Sequence, residues 1–180
     1  MLRRISFVDW METHMKKASR NAAVGGVMAA LAVVIMCMGT LVPLATFICP
    51  ALCILIAHII VKMCGTKVAW SWYGAVAILS MLLAPDKEAA AVFVFLGYYP
   101  IIKPWLERSR FRLLWKGILF NGAVSVMYAF LIFLLGMTET ADEFREAGAL
   151  LSVVTLILGN VTFYLLDILL TRVGRHKRFG

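Results

Sequence analysis

Charge is scarce in this chain. Only 16% of its 180 residues are Asp, Glu, Lys or Arg, and only ten of those are acidic. So few charges cannot clothe a water-facing surface of this size, which excludes an ordinary soluble globular domain. Metal-binding patterns are missing as well. The three histidines, His14, His58 and His176, are far apart, and the four cysteines, Cys37, Cys49, Cys53 and Cys64, form neither a CxxC pair nor a Cys/His cluster of zinc spacing. Cys49 and Cys53 lie one helical turn apart and read as small apolar packing, and His58 as a packed or interface-facing imidazole. No metal and no cofactor is expected. The chain also lacks a Gly-rich phosphate loop, a nucleophile elbow, an intramembrane protease pattern and any span with paired carboxylates. The expectation is a protein that is not an enzyme. No apolar core precedes the first basic residues, so a cleavable signal is not expected. Internal repeats of 20–50 residues and low-complexity linkers are absent too.

What is abundant is apolar surface. Hydrophobic residues make up 62% of the chain, against roughly 45–50% in soluble domains, and the mean hydropathy is +0.89. They fall into runs of near-bilayer length, which predicts an all-α polytopic membrane protein with six transmembrane helices. The first is expected over about 21–38 and the second over about 45–63, joined by a tight turn containing Gly39 and Pro43. The third, about 68–83, and the shorter fourth, about 89–102, flank the polar break Pro85-Asp86-Lys87-Glu88. The fifth covers about 113–135 and the sixth about 147–170, with an acidic loop at 136–146. The domain reading is thus a tail at 1–20, amphipathic or solvated, a membrane domain at 21–170, and a basic tail at 171–180.

Cation placement gives the orientation. With the N-terminus inside, 16 of the 18 Lys and Arg residues fall on the cytoplasmic side, in both tails, at Lys62 and Lys67, and around the loop from Lys103 to Lys116. Only Lys87 and Arg145 fall outside, beside the carboxylates Asp86, Glu88, Glu139, Asp142, Glu143 and Glu146. Both termini are therefore expected to be cytoplasmic, in a multi-pass protein of the cell membrane. All five tryptophans lie near the same inner interface, where an indole is favourable. The excess of +8 is a topology signal, and no nucleic-acid partner is implied; lipid is the expected surrounding.

Polar residues within spans are the candidate sites, because each costs energy in hydrocarbon. Asp167 is the one carboxylate inside a span, and pairing with the nearby Arg172 is expected in preference to a proton relay. Asn160 sits mid-span, and Ser152, Thr155, Gly159 and Thr162 share a face that either lines a polar pocket or bonds across helices. Asp86, Lys87, Glu88 and Tyr128 lie above it as candidate contacts for an external solute, or as an ordinary solvated loop. On the first span Ala22, Gly26 and Ala30 form a small-residue stripe that lets another helix approach, from within the chain or from a partner.

The segment 20–60, RNAAVGGVMAALAVVIMCMGTLVPLATFICPALCILIAHII, resembles the opening of the substrate-binding S components of energy-coupling factor transporters. The likeness lies in a small-residue first helix after a basic tail, a proline-bearing return, six spans, inside termini and overall length. The resemblance implies a subunit that captures a micronutrient, such as a vitamin, from outside and docks through its first helix onto a transmembrane coupling subunit driven by an ATPase pair. Carried over, Ala22, Gly26 and Ala30 match the docking stripe. The family's ligand region would include Asp86 to Glu88, Tyr128, Thr155 and Asn160. The first outer loop is very short for that family, and no vitamin-specific signature is present. The alternative is a non-catalytic membrane scaffold or assembly subunit acting through helix–helix contacts. A channel or proton-coupled transporter fits less well, for want of a deep acid and an inverted repeat. The segment 97–105, GYYPIIKPW, has a proline-ended span meeting a cationic loop and no assigned role.

Overall fold

The computed structural model describes the backbone of residues 7–41, 45–133 and 138–176, with side chains over 15–39, 46–130, 153–154 and 156–173. Every element there is helical. The order is α1 (Phe7–Cys37), a 3-10 turn (Met38–Leu41), α2 (Ala45–Cys64), α3 (Thr66–Leu83), α4 (Lys87–Leu96), α5 (Tyr99–Leu106), α6 (Arg112–Phe133) and α7 (Thr138–His176). Six stretches are long and apolar enough to span a bilayer: Met15–Cys37, Thr46–Cys64, Thr66–Leu83, Lys87–Leu106, Arg112–Phe130 and Leu156–Val173. At about 1.5 Å per residue each covers most or all of a ~30 Å hydrocarbon layer. The protein is an all-α, multi-pass membrane bundle.

Two elements run further than hydropathy alone indicates. Residues 7–20 continue without interruption into the first span as one helix of 31 residues. The acidic stretch expected as a loop is instead helical from Thr138, making α7 39 residues long. Glu139, Asp142 and Glu143 thus belong to the helix and not to a loop. The turn around Pro43 lies outside the described residues.

The bundle is built around α2 and the fourth span, the two most enclosed stretches. Small side chains, Ala57 on α2 and Ala89, Ala90 and Ala91 on α4, are fully buried and let neighbouring helices approach closely. Larger groups, including Met36, Ile60, Val76 and Phe93, fill the space between them. Outward-facing residues such as Val27, Leu31, Ile78, Leu82, Val126 and Leu158 are apolar and exposed, as lipid contact requires.

The fourth span is broken in two. The α4 helix stops at Leu96, and Gly97 and Tyr98 form a turn before α5 begins. Pro100 has no N–H to offer the carbonyl of Leu96, and Pro104 none for Pro100, so a continuous helix would leave acceptors unmet in hydrocarbon. The hydroxyl of Tyr73 on α3 donates to the freed region at the Val94 carbonyl. The turn is tight at Gly97, where a Cβ would stand 2.5 Å from the Phe93 carbonyl oxygen and 2.9 Å from its ring. We expect Gly97→Ala to destabilise the bundle by about 1–3 kcal/mol, read as a lower thermal midpoint in detergent.

Candidate functional site

The break has a positional consequence. It starts a new helix in which Tyr99 and Lys103, four residues apart, share one face, and that face meets α7. The Tyr99 hydroxyl donates to Asp167 Oδ1 at 2.6 Å, and Lys103 Nζ lies 2.6 Å from the same oxygen. Lys103 also donates to the backbone carbonyl of Asp167 at 2.7 Å and to Thr171 Oγ1 at 2.8 Å. Its three N–H groups are thereby satisfied. From α6, Lys116 Nζ binds the other carboxylate oxygen, Asp167 Oδ2, at 2.7 Å. Glu107, just past α5, stands 3.7 Å from Lys103 and 3.9 Å from Lys116. One buried aspartate thus joins α5, α6 and α7.

Asp167 therefore pairs with two lysines and not, as the sequence spacing indicates, with Arg172. Five positions offset Arg172 by about 140° around the helix from Asp167, so the two border one cleft without forming an ion pair, while the lysines of α5 and α6 meet the carboxylate directly. Neither lysine carries a local mark of this role. Lys103 is 64 residues from its partner and Lys116 is 51. The available hint is that each is a cation set one turn inside an apolar stretch, with Tyr99 one turn from Lys103.

Beyond the ions, the α6–α7 seam continues in layers. Phe163 packs edge-on to Tyr99 and stacks on Phe120, each at 4.7 Å between ring centroids. Gly159 leaves room for Phe120, whose ring tip would be 3.4 Å from a Cβ there. Asn121 and Asn160 then exchange two amide hydrogen bonds of 3.1 Å, while each also donates to a carbonyl one turn back in its own helix. Asn160 is thus an interhelical tie. Thr162 is exposed and bonds the Leu158 carbonyl of its own helix; the side chains of Ser152 and Thr155 lie outside the described residues.

The other sequence candidates gather at the opposite end. Asp86 caps α4 by accepting from Ala89 N at 3.0 Å, and its second oxygen accepts from Thr46 Oγ1 at 2.7 Å. Lys87 Nζ donates to the Met81 and Ala84 carbonyls at 2.9 and 3.0 Å, closing the end of α3. Glu88 opens α4, and Tyr128 is half-buried beside Ala91 and Met127. Asp86 and Lys87 act there as helix caps, and Asn160 lies on the α6–α7 seam rather than with them. Ala22, Gly26 and Ala30 are all exposed on α1, and a Cβ at Gly26 would meet no atom within 4 Å.

Among the described residues no group of three or more His, Cys, Asp or Glu is placed to hold a metal ion. A cleft of about 340 Å³ opens beside the ion cluster, lined by Glu107, Arg112, Lys116, Tyr164, Asp167 and Arg172 among others. Removing one member of a buried ion set leaves the rest uncompensated. Asp167→Ala is expected to cost about 3–5 kcal/mol and Lys116→Met less, because Lys103 stays paired; unfolding in a mixed detergent series measures both. No protein-family model, curated protein or solved structure matches this chain.

Proposed function

We propose that this chain is the non-motor, substrate-capturing subunit of an ATP-driven membrane importer, docking through its first helix in the manner of an energy-coupling factor S component. One observation carries the reading: the Ala22, Gly26 and Ala30 stripe faces outward on α1 with open space above Gly26. Helices in lipid gain no hydrophobic drive from meeting one another, so association rests on close packing, and small residues permit it. A stripe of that kind left uncovered by the described residues fits a helix of another subunit. The sequence contains no nucleotide-binding loop, so ATP hydrolysis belongs to the partner and the chain itself catalyses nothing. In this reading both termini are cytoplasmic, the membrane is the cell membrane, and the solute enters from the end carrying Asp86, Lys87, Glu88 and Tyr128, with Thr155 and Asn160 deeper.

A second reading, a scaffold that binds no solute, is favoured by the internal bonds that already engage Asp86, Lys87 and Asn160. Both readings share the docking helix and differ in the ligand.

Gly26→Leu should abolish co-purification of a membrane partner while leaving the thermal midpoint of the isolated chain unchanged. A retained partner defeats docking through this stripe. Native mass spectrometry of the wild-type chain is expected to reveal a bound small solute; its absence, with docking intact, selects the scaffold. The orientation is tested separately, by labelling of single cysteines introduced at Glu143 and Arg175, which should react from opposite sides of the membrane.

A further inference from the structure

The ion cluster leaves a charge excess at its mouth. Lys103 and Lys116 are balanced by Asp167 and Glu107, whereas Arg112 and Arg172, which line the same cleft, have no ion-pair partner among the described residues. Lys103 has all three donors engaged. Lys116 makes one close bond, to Asp167, and its contact with Glu107 is 3.9 Å long, so it keeps a donor for the cleft. Three cationic groups from two helices thus converge on one opening.

Among the charged residues of the opening stand two apolar side chains, Leu113 and Ile168, and the ring of Tyr164. Tyr164, Ile168 and Arg172 succeed one another at four-residue steps on one face of α7, opposite Arg112, Leu113 and Lys116 in the first two turns of α6. Tyr164 therefore lies about 12 Å deeper along the helix than Arg172. Outside the cleft Leu114, Leu165 and Leu169 are exposed on the same two helices. The exposed indoles of Trp105 and Trp115 flank a neighbouring depression with Arg108, a pairing typical of the headgroup level. The cleft is cationic at the headgroup level and apolar toward the bilayer centre.

We infer that this cleft between α6 and α7 binds the phosphodiester headgroup of an anionic phospholipid, held by Arg112, Arg172 and Lys116, with an acyl chain lying along Ile168 and Tyr164. Basic pockets between membrane helices suit such headgroups, and guanidinium groups match phosphate oxygens in a two-pronged geometry. The lipid would fill the gap beside Asp167 and complete the seam of α6 and α7. This holds whichever solute or partner the protein takes.

The test uses the full chain in neutral detergent, titrated with phosphatidylglycerol or phosphatidylcholine and read by native mass spectrometry. Wild-type protein should retain phosphatidylglycerol at about one per chain and prefer it over phosphatidylcholine by roughly 10- to 30-fold. Arg112→Gln combined with Arg172→Gln should remove that preference, while Lys62→Gln with Lys67→Gln, cations at the same end outside the cleft, should leave it intact. Should the arginine pair fail to fold, raising the salt on wild-type protein must weaken the preference in its place. Equal retention of the two lipids, an unchanged preference in the arginine variant, or full displacement by inorganic phosphate alone would overturn the assignment.

Discussion

A charge in hydrocarbon needs a partner inside the protein, and this chain meets that demand chiefly at one carboxylate. Asp167 collects a tyrosine hydroxyl and two ammonium groups from α5 and α6. Because these partners come from different helices, satisfying the charge also fixes how the helices are rotated and how far each is slid along the next. The seam bears this out. Lys116 faces Asp167, Phe120 faces Phe163, and Asn121 faces Asn160, an antiparallel register in which ion pair, rings and amides follow in order. Such a sequence of unlike layers tolerates no slip: a one-turn shift would set a charge against a ring.

The broken fourth span belongs to the same arrangement. It is the most enclosed stretch of the bundle and the least regular, a combination allowed only where protein rather than lipid surrounds the interrupted backbone. The Tyr73 hydroxyl from α3 answers the carbonyl at the break, and the restart of the helix turns Tyr99 and Lys103 together toward α7. The opposite end is secured more simply, by Asp86 and Lys87 capping α4 and α3 and by the Thr46 bond to Asp86.

Much of the architecture is legible in the sequence because lipid imposes a coarse rule that local composition obeys. The number of spans, their order and most of their limits follow from apolar runs alone, and the small residues at 22, 26 and 30 are visible as a stripe from spacing. Two kinds of feature are not legible. Hydropathy cannot distinguish a polar helix from a polar loop, so the continuity of α1 below the first span and the helical start of α7 escape it. Pairing across the bundle escapes it too, since nothing in the neighbourhood of Asp167 points 64 residues back to Lys103. Asp86 is an instructive middle case: a carboxylate three residues before Ala89 is a cap by position, yet beside Lys87 and Glu88 it also reads as part of an ionic site.

The distance in sequence between Lys103 and Asp167 bears on biosynthesis. A ribosome delivers both lysines to the translocon before α7 exists, so for the time needed to make some fifty further residues their counter-ion has not yet been synthesised. Until it arrives, α5 and the start of α6 are held near the aqueous edge by two ammonium groups that resist entering lipid. Arrival of α7 neutralises them at a stroke. Final seating of α5 and the start of α6 thereby waits for α7 to be made, and a nascent chain cut short before α7 would carry its own mark of incompleteness for quality-control proteases to read.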